Sequence, residues 1–454
     1  MQTPIVQELS DFLLEVTPLM EQVDDLSLET AAELYDMLDF ASKSATTNID
    51  KIGPELRVTI CDWQDKILER IITILPPFEK LTEPVGVYTP AIQGYRKWNN
   101  VELMKDKGLA GYLLAREIGA HPVMFFGTKL SDYSYSPLLP GLEILCNDSE
   151  INVKDAYYEH LRENYAKMDI LILHGMYIET IDYLNEYRKL RPDGKVFCGL
   201  DMSCYWMVKH NWDSPPAKQF AAQCDIIATS CTFVRDALNR HPKVQFSCRF
   251  LPNAFFDPTG TPIIADPEQK ENIILTVGRI GTEQKNNEEM LVAFANSKIS
   301  NKWTLRLVGT VEPAFQAYID EYFTLRPDLK SRVIFTGPIT DKAELYAEYA
   351  KAKIFVLTSQ LEGGTPNVYA EALVHGCMFI TSGIDAADDM TDNGRLGVKY
   401  KLGDVNALTS VFNDLCPKAS RRAFQTHIPK ALDYANRKYD WNCNVKKLAF
   451  MLFK

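Results

Sequence analysis

A chain of 454 residues, 46% hydrophobic and 24% charged, is too long for one ordinary core and suits two α/β domains plus an extra segment; neither disorder nor a fibrous repeat is indicated. The formal charge of -11 argues against an affinity built on neutralising nucleic-acid phosphates, which needs clustered Lys and Arg. The ten cysteines, Cys61, Cys146, Cys198, Cys204, Cys224, Cys231, Cys248, Cys377, Cys416 and Cys443, show no zinc-site spacing and read mostly as reduced, buried small hydrophobes.

The stretch MQTPIVQELSDFLLEV lacks the basic flank and unbroken apolar core of a secretion signal, and no apolar run of about 18 residues occurs, so the expected location is the cytoplasm, with the inner face of the membrane as a variant. Residues 1–80 read as a helical extension. Leu28, Ala31, Leu34 and Leu38 recur at helical spacing, as do Trp63, Ile67, Ile71 and Ile74, and Pro76 and Pro77 stop the second helix. Such stripes pack on a neighbouring domain more often than on a membrane surface or a protein partner, which is the alternative use.

From residue 81 to about 255 short apolar runs (VGVYTP, HPVMFFG, LEILCN, DILILHG, KVFCGLD, DIIATSC) alternate with helical stretches such as GLAGYLLAREIG and IETIDYLNEYRKL. This texture predicts buried parallel strands in a doubly wound domain. FLPNAFFDPTGTPIIADPEQ reads as a linker. A second alternation (NIILTVGRI, WTLRLVG, RVIFTGP, KIFVLTS and CMFITSG, with NEEMLVAFANS, KAELYAEYAKA and NVYAEALVHG) predicts another such domain over 271–430. The segment 431–454 contains a helix with Trp441, Val445, Leu448 and Leu452 on one stripe, expected to pack back on the N-terminal domain. The fold class predicted is α/β, two Rossmann-like domains facing a cleft, with ligands at the carboxyl ends of the strands.

Two stretches carry chemistry. In TVGRIGTEQKNNEEML a strand ends at Gly278, and Arg279 and Lys285 follow beside a helix start that Asn286 or Asn287 is placed to cap. Two cations there suit a diphosphate, although alone they read rather as solvated charges. In TSQLEGGTPNVYAEALVHG, Gly363 and Gly364 permit close backbone approach, Thr365 is placed as N-cap and Pro366 in the first turn. Glu371, four residues after Asn367 on the same face, is able to accept two hydrogen bonds from a ribose diol; a capping or solvated acid is an equal reading on the residues alone.

Together these stretches resemble the retaining glycosyltransferases of family 4, which have the GT-B fold. The resemblance covers the chain from about Val85 to the end, strongly from Asn272 to Gly376 and loosely before that. It implies that Arg279 and Lys285 hold the donor diphosphate, that Glu371 binds the ribose and that Glu362 stands near the donor sugar. The family's paired glutamates are separated by one residue fewer than separate Glu362 from Glu371, so Gly363 occupies the usual slot: either the loop bulges to place Glu362, or the amides of Gly363, Gly364 and Thr365 read the sugar. The family often has a glycine pair where this chain offers only Gly108, which makes that loop a donor or acceptor candidate. It often has a histidine just before the position of Asp201, and here that residue is Leu200. His174 and Asp201 end two N-terminal strands and complete the catalytic set with Arg279 and Lys285; a core histidine is an equal reading of His174.

With no Asp-x-Asp triplet and no metal-ligand cluster in the sequence, the leaving charge falls to protein cations and amides, and no cofactor is expected beyond a UDP- or GDP-linked sugar as substrate. The family implies retention of anomeric configuration without a firmly identified protein nucleophile, and none is nominated. The expected acceptor is a polysaccharide, lipid-linked glycan or protein, chosen by the loops GYRKWNN and GTKLSDYSYSPLLPG. A sugar phosphorylase of the same fold is disfavoured because no lysine motif suits pyridoxal phosphate. A non-catalytic nucleotide-sugar-binding subunit is the remaining alternative, supported by the displaced Glu362 and by Leu200.

Overall fold

The computed structural model describes the chain except for residues 1–3, 49–52, 84, 93–102, 104–105, 127–134, 147–151 and 300. It divides into two compact units, Met1–Pro252 with Trp441–Lys454, and Asn253–Asp440. The chain therefore passes back to the first unit at Asp440–Trp441.

The first unit opens with α1 (Pro4–Glu21), α2 (Leu28–Thr47) and α3 (Pro54–Ile74). Ser27 caps α2 by accepting from the Thr30 N–H at 3.2 Å, and Pro76 and Pro77 follow directly on α3. Ala31, Leu34, Leu38, Ile67 and Ile71 are buried together with Leu13 and Val16 of α1. Polar contacts fasten these helices to the rest of the unit. Asp65 of α3 accepts from Arg235 at 2.6 Å and from Arg249 at 2.9 Å, and all three side chains are nearly buried. Arg57 donates to the Val244 carbonyl at 3.1 Å, and Ser247 meets Ser42 at 2.6 Å.

A seven-stranded parallel sheet follows, β1 (Gly86–Pro90), β2 (His121–Phe126), β3 (Glu143–Cys146), β4 (Ile170–His174), β5 (Lys195–Leu200), β6 (Ile226–Thr229) and β7 (Cys248–Phe250), ordered β3-β2-β1-β4-β5-β6-β7. Between them run α4 (Asp106–Ile118), α5 (Val153–Asn164), α6 (Ile178–Leu190), α7 (Cys204–Lys209), α8 (Pro215–Gln223) and α9 (Thr232–Arg240). A Cβ on Gly111 of α4 would lie 2.2 Å from the Thr89 hydroxyl, so the missing side chain lets α4 press onto β1.

The second unit holds a six-stranded parallel sheet, β8 (Glu271–Val277), β9 (Thr304–Val308), β10 (Val333–Gly337), β11 (Ala352–Leu357), β12 (Met378–Ser382) and β13 (Gly397–Tyr400), ordered β10-β9-β8-β11-β12-β13. Its helices are α10 (Asn287–Asn296), α11 (Gln316–Leu325), α12 (Lys342–Lys351), α13 (Asn367–Val374), α14 (Ala387–Thr391), α15 (Val405–Leu415) and α16 (Arg421–Lys438). The last helix, α17 (Trp441–Phe453), belongs to the first unit, where Phe450 joins the core of α1–α3 and meets Tyr35 edge-on at 5.3 Å.

Sequence periodicity misses β7 and β13, each at one edge of its sheet. Both are short, and Arg249 and Lys399 interrupt their apolar runs, as edge strands allow.

Candidate functional site in the carboxyl edge of the second sheet

The order of the second sheet reverses between β8 and β11, and the crevice beyond such a switch point is where open α/β sheets bind ligands. The loops leaving these two neighbouring strands contain Arg279 and Lys285 on one side, and Glu362 to Asn367 on the other. They are stitched together. The Gln360 N–H donates to the Gln284 carbonyl at 2.8 Å, the Gln284 side chain donates to the Leu361 carbonyl at 2.9 Å, and the Thr358 hydroxyl donates to the Lys285 carbonyl at 2.8 Å.

Beneath the first loop the backbone comes very close. Gly278 (φ 154°) and Gly309 (φ 147°) follow β8 and β9, and a Cβ on Gly309 would lie 1.7 Å from the Gly278 carbonyl oxygen. Only glycine permits this approach, which leaves the sheet edge bare of side chains beside the two cations. Gly309 stands after its strand as Gly278 does after β8, and that parallel was the available signal for it in the sequence.

Lys285 forms an ion pair with Glu362, their side chains 17% and 11% exposed. Glu362 also lies 3.4 Å from the Gln284 amide nitrogen, and Gln284 accepts from exposed Arg279 at 2.8 Å. The spacing that sets Glu362 one residue early thus still leaves its carboxylate beside Lys285. Gln284, which links Arg279 to the second loop, escaped the sequence reading because an amide between charged neighbours carries no pattern.

Two capping assignments are corrected. Helix α13 begins at Asn367 with Pro366 as its N-cap residue, so Thr365 is not the cap and Pro366 precedes the first turn rather than occupying it; an extended Pro366 (ψ 143°) carries the chain in. Gly364 adopts φ 122°, open to glycine alone. Asn286, the N-cap residue of α10, is left-handed and makes no capping bond; its amide meets Glu289, while Asn287 accepts from the Gly281 N–H at 2.8 Å.

Glu371 lies in α13, a turn beyond Asn367, and is held from two sides. Lys342 donates to one carboxylate oxygen at 3.0 Å and the Tyr349 hydroxyl to the other at 2.8 Å. His375 donates through Nδ1 to the Glu371 carbonyl at 2.7 Å and stacks on Tyr349, ring centres 5.6 Å apart. Burial raises the Tyr349 phenol well above its ordinary pKa, with the Glu371 charge second, and burial pushes the His375 imidazole down to about 4. Both stay neutral near pH 7, so a neutral frame with one lysine fixes this carboxylate, and each of its oxygens keeps acceptor capacity. None of Lys342, Tyr349 and His375 was identified from sequence: Lys342 and Tyr349 reach Glu371 only through packing of α12 against α13, and His375, four residues after Glu371 at the end of the same helix, carries no pattern that marks it.

His174, Asp201 and Gly108 lie in the first unit. His174 is the buried last residue of β4, Asp201 follows β5 directly and is exposed, and the two strands are in register with His174 opposite Gly199. Leu200 is buried. Gly108 is buried inside the first turn of α4 rather than standing in a loop before it, so the glycine expected to bind in a loop is helical. The acceptor loop GYRKWNN and residues 127–134 of GTKLSDYSYSPLLPG lie outside the described residues. Among the described residues no group of three His, Cys, Asp or Glu is arranged to hold a metal ion, and no helix is long and apolar enough to cross a membrane.

Two parallel-sheet Rossmann-like units with a helical N-terminal region make this the fold of GT-B glycosyltransferases, and solved structures of that kind match over most of the chain. Residues 271–416 match the family model described as Glycosyl transferases group 1, so the second unit carries a glycosyl transferase group 1 domain. Sucrose-phosphate synthase from Thermosynechococcus elongatus is similar at 16% identity and TM-score 0.60, the match covering 80% of this chain and 97% of that one. The Anabaena protein HepE, solved in complex with UDP, is similar at 13% identity and TM-score 0.58, covering 82% and 99%. The lipopolysaccharide outer core galactosyltransferase WaaB is similar at 17% identity and TM-score 0.56, covering 82% and 99%. No curated protein matches the sequence.

Proposed function

We propose that this protein is a retaining, metal-independent glycosyltransferase of family 4, of hexosyltransferase type, moving a sugar from a nucleotide diphosphate donor to a glycan, lipid-linked or protein acceptor in the cytoplasm. The observation that carries the reading is the coincidence, within the group 1 domain, of Arg279 and Lys285 after β8 with Glu362 and Glu371 after β11, on the two strands that flank the switch point. A uridine diphosphate sugar is the first donor to test, because HepE was solved with UDP.

In this reading Arg279, Lys285 and the amides of residues 363–365 receive the charge that develops on the departing diphosphate. Lys285 has three N–H donors, so it serves Glu362 and a phosphate oxygen together. Glu362 then faces the sugar end of the donor, and Glu371 accepts from the ribose hydroxyls. The departing phosphate oxygen takes the acceptor's proton on the face it leaves, which retains configuration without a protein nucleophile. His174 and Asp201 are the candidates for sugar and acceptor contacts.

A non-catalytic sugar-nucleotide-binding subunit is the second reading, favoured by buried Leu200 where the family often has histidine. Binding comes first: the cognate nucleotide at 100 times its dissociation constant adds about 2.7 kcal/mol to stability. Release of free nucleoside diphosphate on mixing with donor and acceptor supports the enzyme, and binding with no release over a panel of donors and acceptors supports the subunit. Absence of any nucleotide-dependent stabilisation refutes both.

A further inference from the structure

The helical extension carries almost all of the protein's charge imbalance. Residues 1–80 contain sixteen Asp and Glu against six Lys and Arg, whereas the other 374 residues contain 44 against 43. Part of this acid is spent internally, Asp65 on Arg235 and Arg249, Glu55 on Arg240 and Asp36 on Lys454. The outer faces of α1 and α2 are not so compensated. Glu8, Asp11 and Glu15 lie at i, i+3 and i+7 on α1, and Glu29, Glu33 and Asp36 at i, i+4 and i+7 on α2, two acidic stripes. Among the described residues, none of these except Asp36 has a cation partner.

An apolar groove of about 480 Å³ lies on these two helices, lined by Leu9 and Phe12 of α1 and by Met37, Phe40 and Ala41 of α2, with Glu8 and Asp36 at its margin. Phe40 is 75% exposed and Met37 46%. A large aromatic and a pliable thioether left in water beside an open groove mark an interaction surface rather than a packing accident. The structural neighbours are matched over 97–99% of their own length by about four-fifths of this chain, so an excess of about a fifth has no counterpart in them.

We propose that this groove docks a basic amphipathic helix of a partner protein, with Leu or Phe side chains filling the space around Phe12, Met37 and Phe40, and with Lys or Arg meeting the stripes on either side. Helix-in-groove recognition uses anchors spaced as the lining residues are, and charge complementarity selects the partner and speeds encounter. The same charges argue against other occupants. An anionic membrane surface attracts basic segments and repels acidic ones, and a second copy of this module brings two strongly acidic surfaces together.

The test uses the full chain and a labelled 18-residue peptide of Leu and Lys at helical spacing, with two controls: the same composition scrambled out of period, and Glu in place of Lys. Fluorescence anisotropy is expected to show saturable binding of the first peptide alone, weakening with salt, and lost by about tenfold in Met37→Ala/Phe40→Ala, the loss typical of central anchors. Because both side chains are exposed, the substitutions spare the core; Asp11→Lys/Glu33→Lys, which leaves the groove lining intact, is expected to weaken binding as well. Stabilisation by UDP-glucose is expected to be the same in all variants. Equal binding of the scrambled peptide, or binding indifferent to both variants, overturns the proposal. So does Phe40-dependent sedimentation with phosphatidylglycerol vesicles, which makes the face a membrane surface, or Phe40-dependent dimerisation in the ultracentrifuge, which makes it a self-contact.

Discussion

Lys285 and Glu362 leave different strands of the second sheet, β8 and β11, and meet in a largely buried ion pair. In the proposed function a diphosphate shares the Lys285 ammonium with this carboxylate, so the pair is expected to set how strongly the site attracts phosphate. Glu362→Gln removes the competing charge and keeps the shape. It is expected to tighten binding of UDP alone by about threefold to tenfold, a fraction of a charge-assisted bond, while weakening selection of the sugar-linked form. Calorimetry with both ligands checks this, and a UDP affinity equal to that of the unmodified protein refutes it.

Arg279 and Lys285 should differ in stability and agree in binding. Each alanine variant loses one charge-assisted contact to the diphosphate, worth about 1.5 to 3 kcal/mol. Arg279 is exposed and, among the described residues, its side chain is bonded to Gln284 alone, so Arg279→Ala is expected to leave the unfolding midpoint unchanged. Lys285→Ala leaves Glu362 nearly buried without its cation and lowers stability by about 1 to 3 kcal/mol. Unchanged nucleotide affinity in both variants removes the phosphate site.

Glu371 is expected to hold the ribose. Glu371→Gln weakens nucleotide binding by about 1 to 2 kcal/mol, the difference between a charged and a neutral acceptor. A 2′,3′-dideoxy nucleotide loses a similar amount with the unmodified protein, and the two losses do not add, since they delete one interaction from both ends. Additive losses would return Glu371 to a partner of Lys342 and Tyr349 only. Tyr349→Phe is expected to weaken the nucleotide less than Glu371→Gln, because it loosens the carboxylate without removing it.

Asp65 compensates two arginines that are themselves buried, Arg235 and Arg249. Asp65→Asn takes the carboxylate from buried Arg249, while Arg235 keeps Asp236 and Asp62, and is expected to cost about 3 to 5 kcal/mol of stability, carried mainly by Arg249. Denaturant unfolding measures the loss, and nucleotide affinity in the folded variant is expected to be unchanged. A loss under about 1 kcal/mol, the range of an exposed pair, would show that the helices are not fastened here.

Burial depresses both His375 and His427 to about 4 from an ordinary 6.5. Between these values the unfolded chain binds protons that the folded chain does not, so stability rises with pH across that window and is lost as pH falls from about 6.5 toward 4. Each histidine contributes a slope of at most about 1.4 kcal/mol per pH unit. Unfolding followed from pH 7 to 4 should show the fall, and His427→Gln should make it shallower. A slope unaltered by that substitution assigns the effect elsewhere.

The sequence by itself determined the interior of both sheets. Runs such as DILILHG and KIFVLTS are apolar throughout because parallel strands covered by helices are buried on both faces, and the helices between them carry the spacing that such burial requires. It also placed Arg279 and Lys285 just after a strand end and Glu371 one turn inside a helix, since a strand end followed by a helix start is a local pattern; the roles proposed for them rest on the family resemblance. Tertiary structure decided the rest. The edge strand β13 is largely in water, and β7 is three residues long with a buried, ion-paired Arg249 at its centre, so neither imposes an apolar period. Glu362 meets Lys285 and Gln284 only when β11 pairs with β8, and Lys342 and Tyr349 reach Glu371 only when α12 packs against α13, whereas His375 is a local partner four residues after Glu371. Even the cap of α13 moved by one residue, because Gly364 at positive φ and an extended Pro366 set where the helix begins.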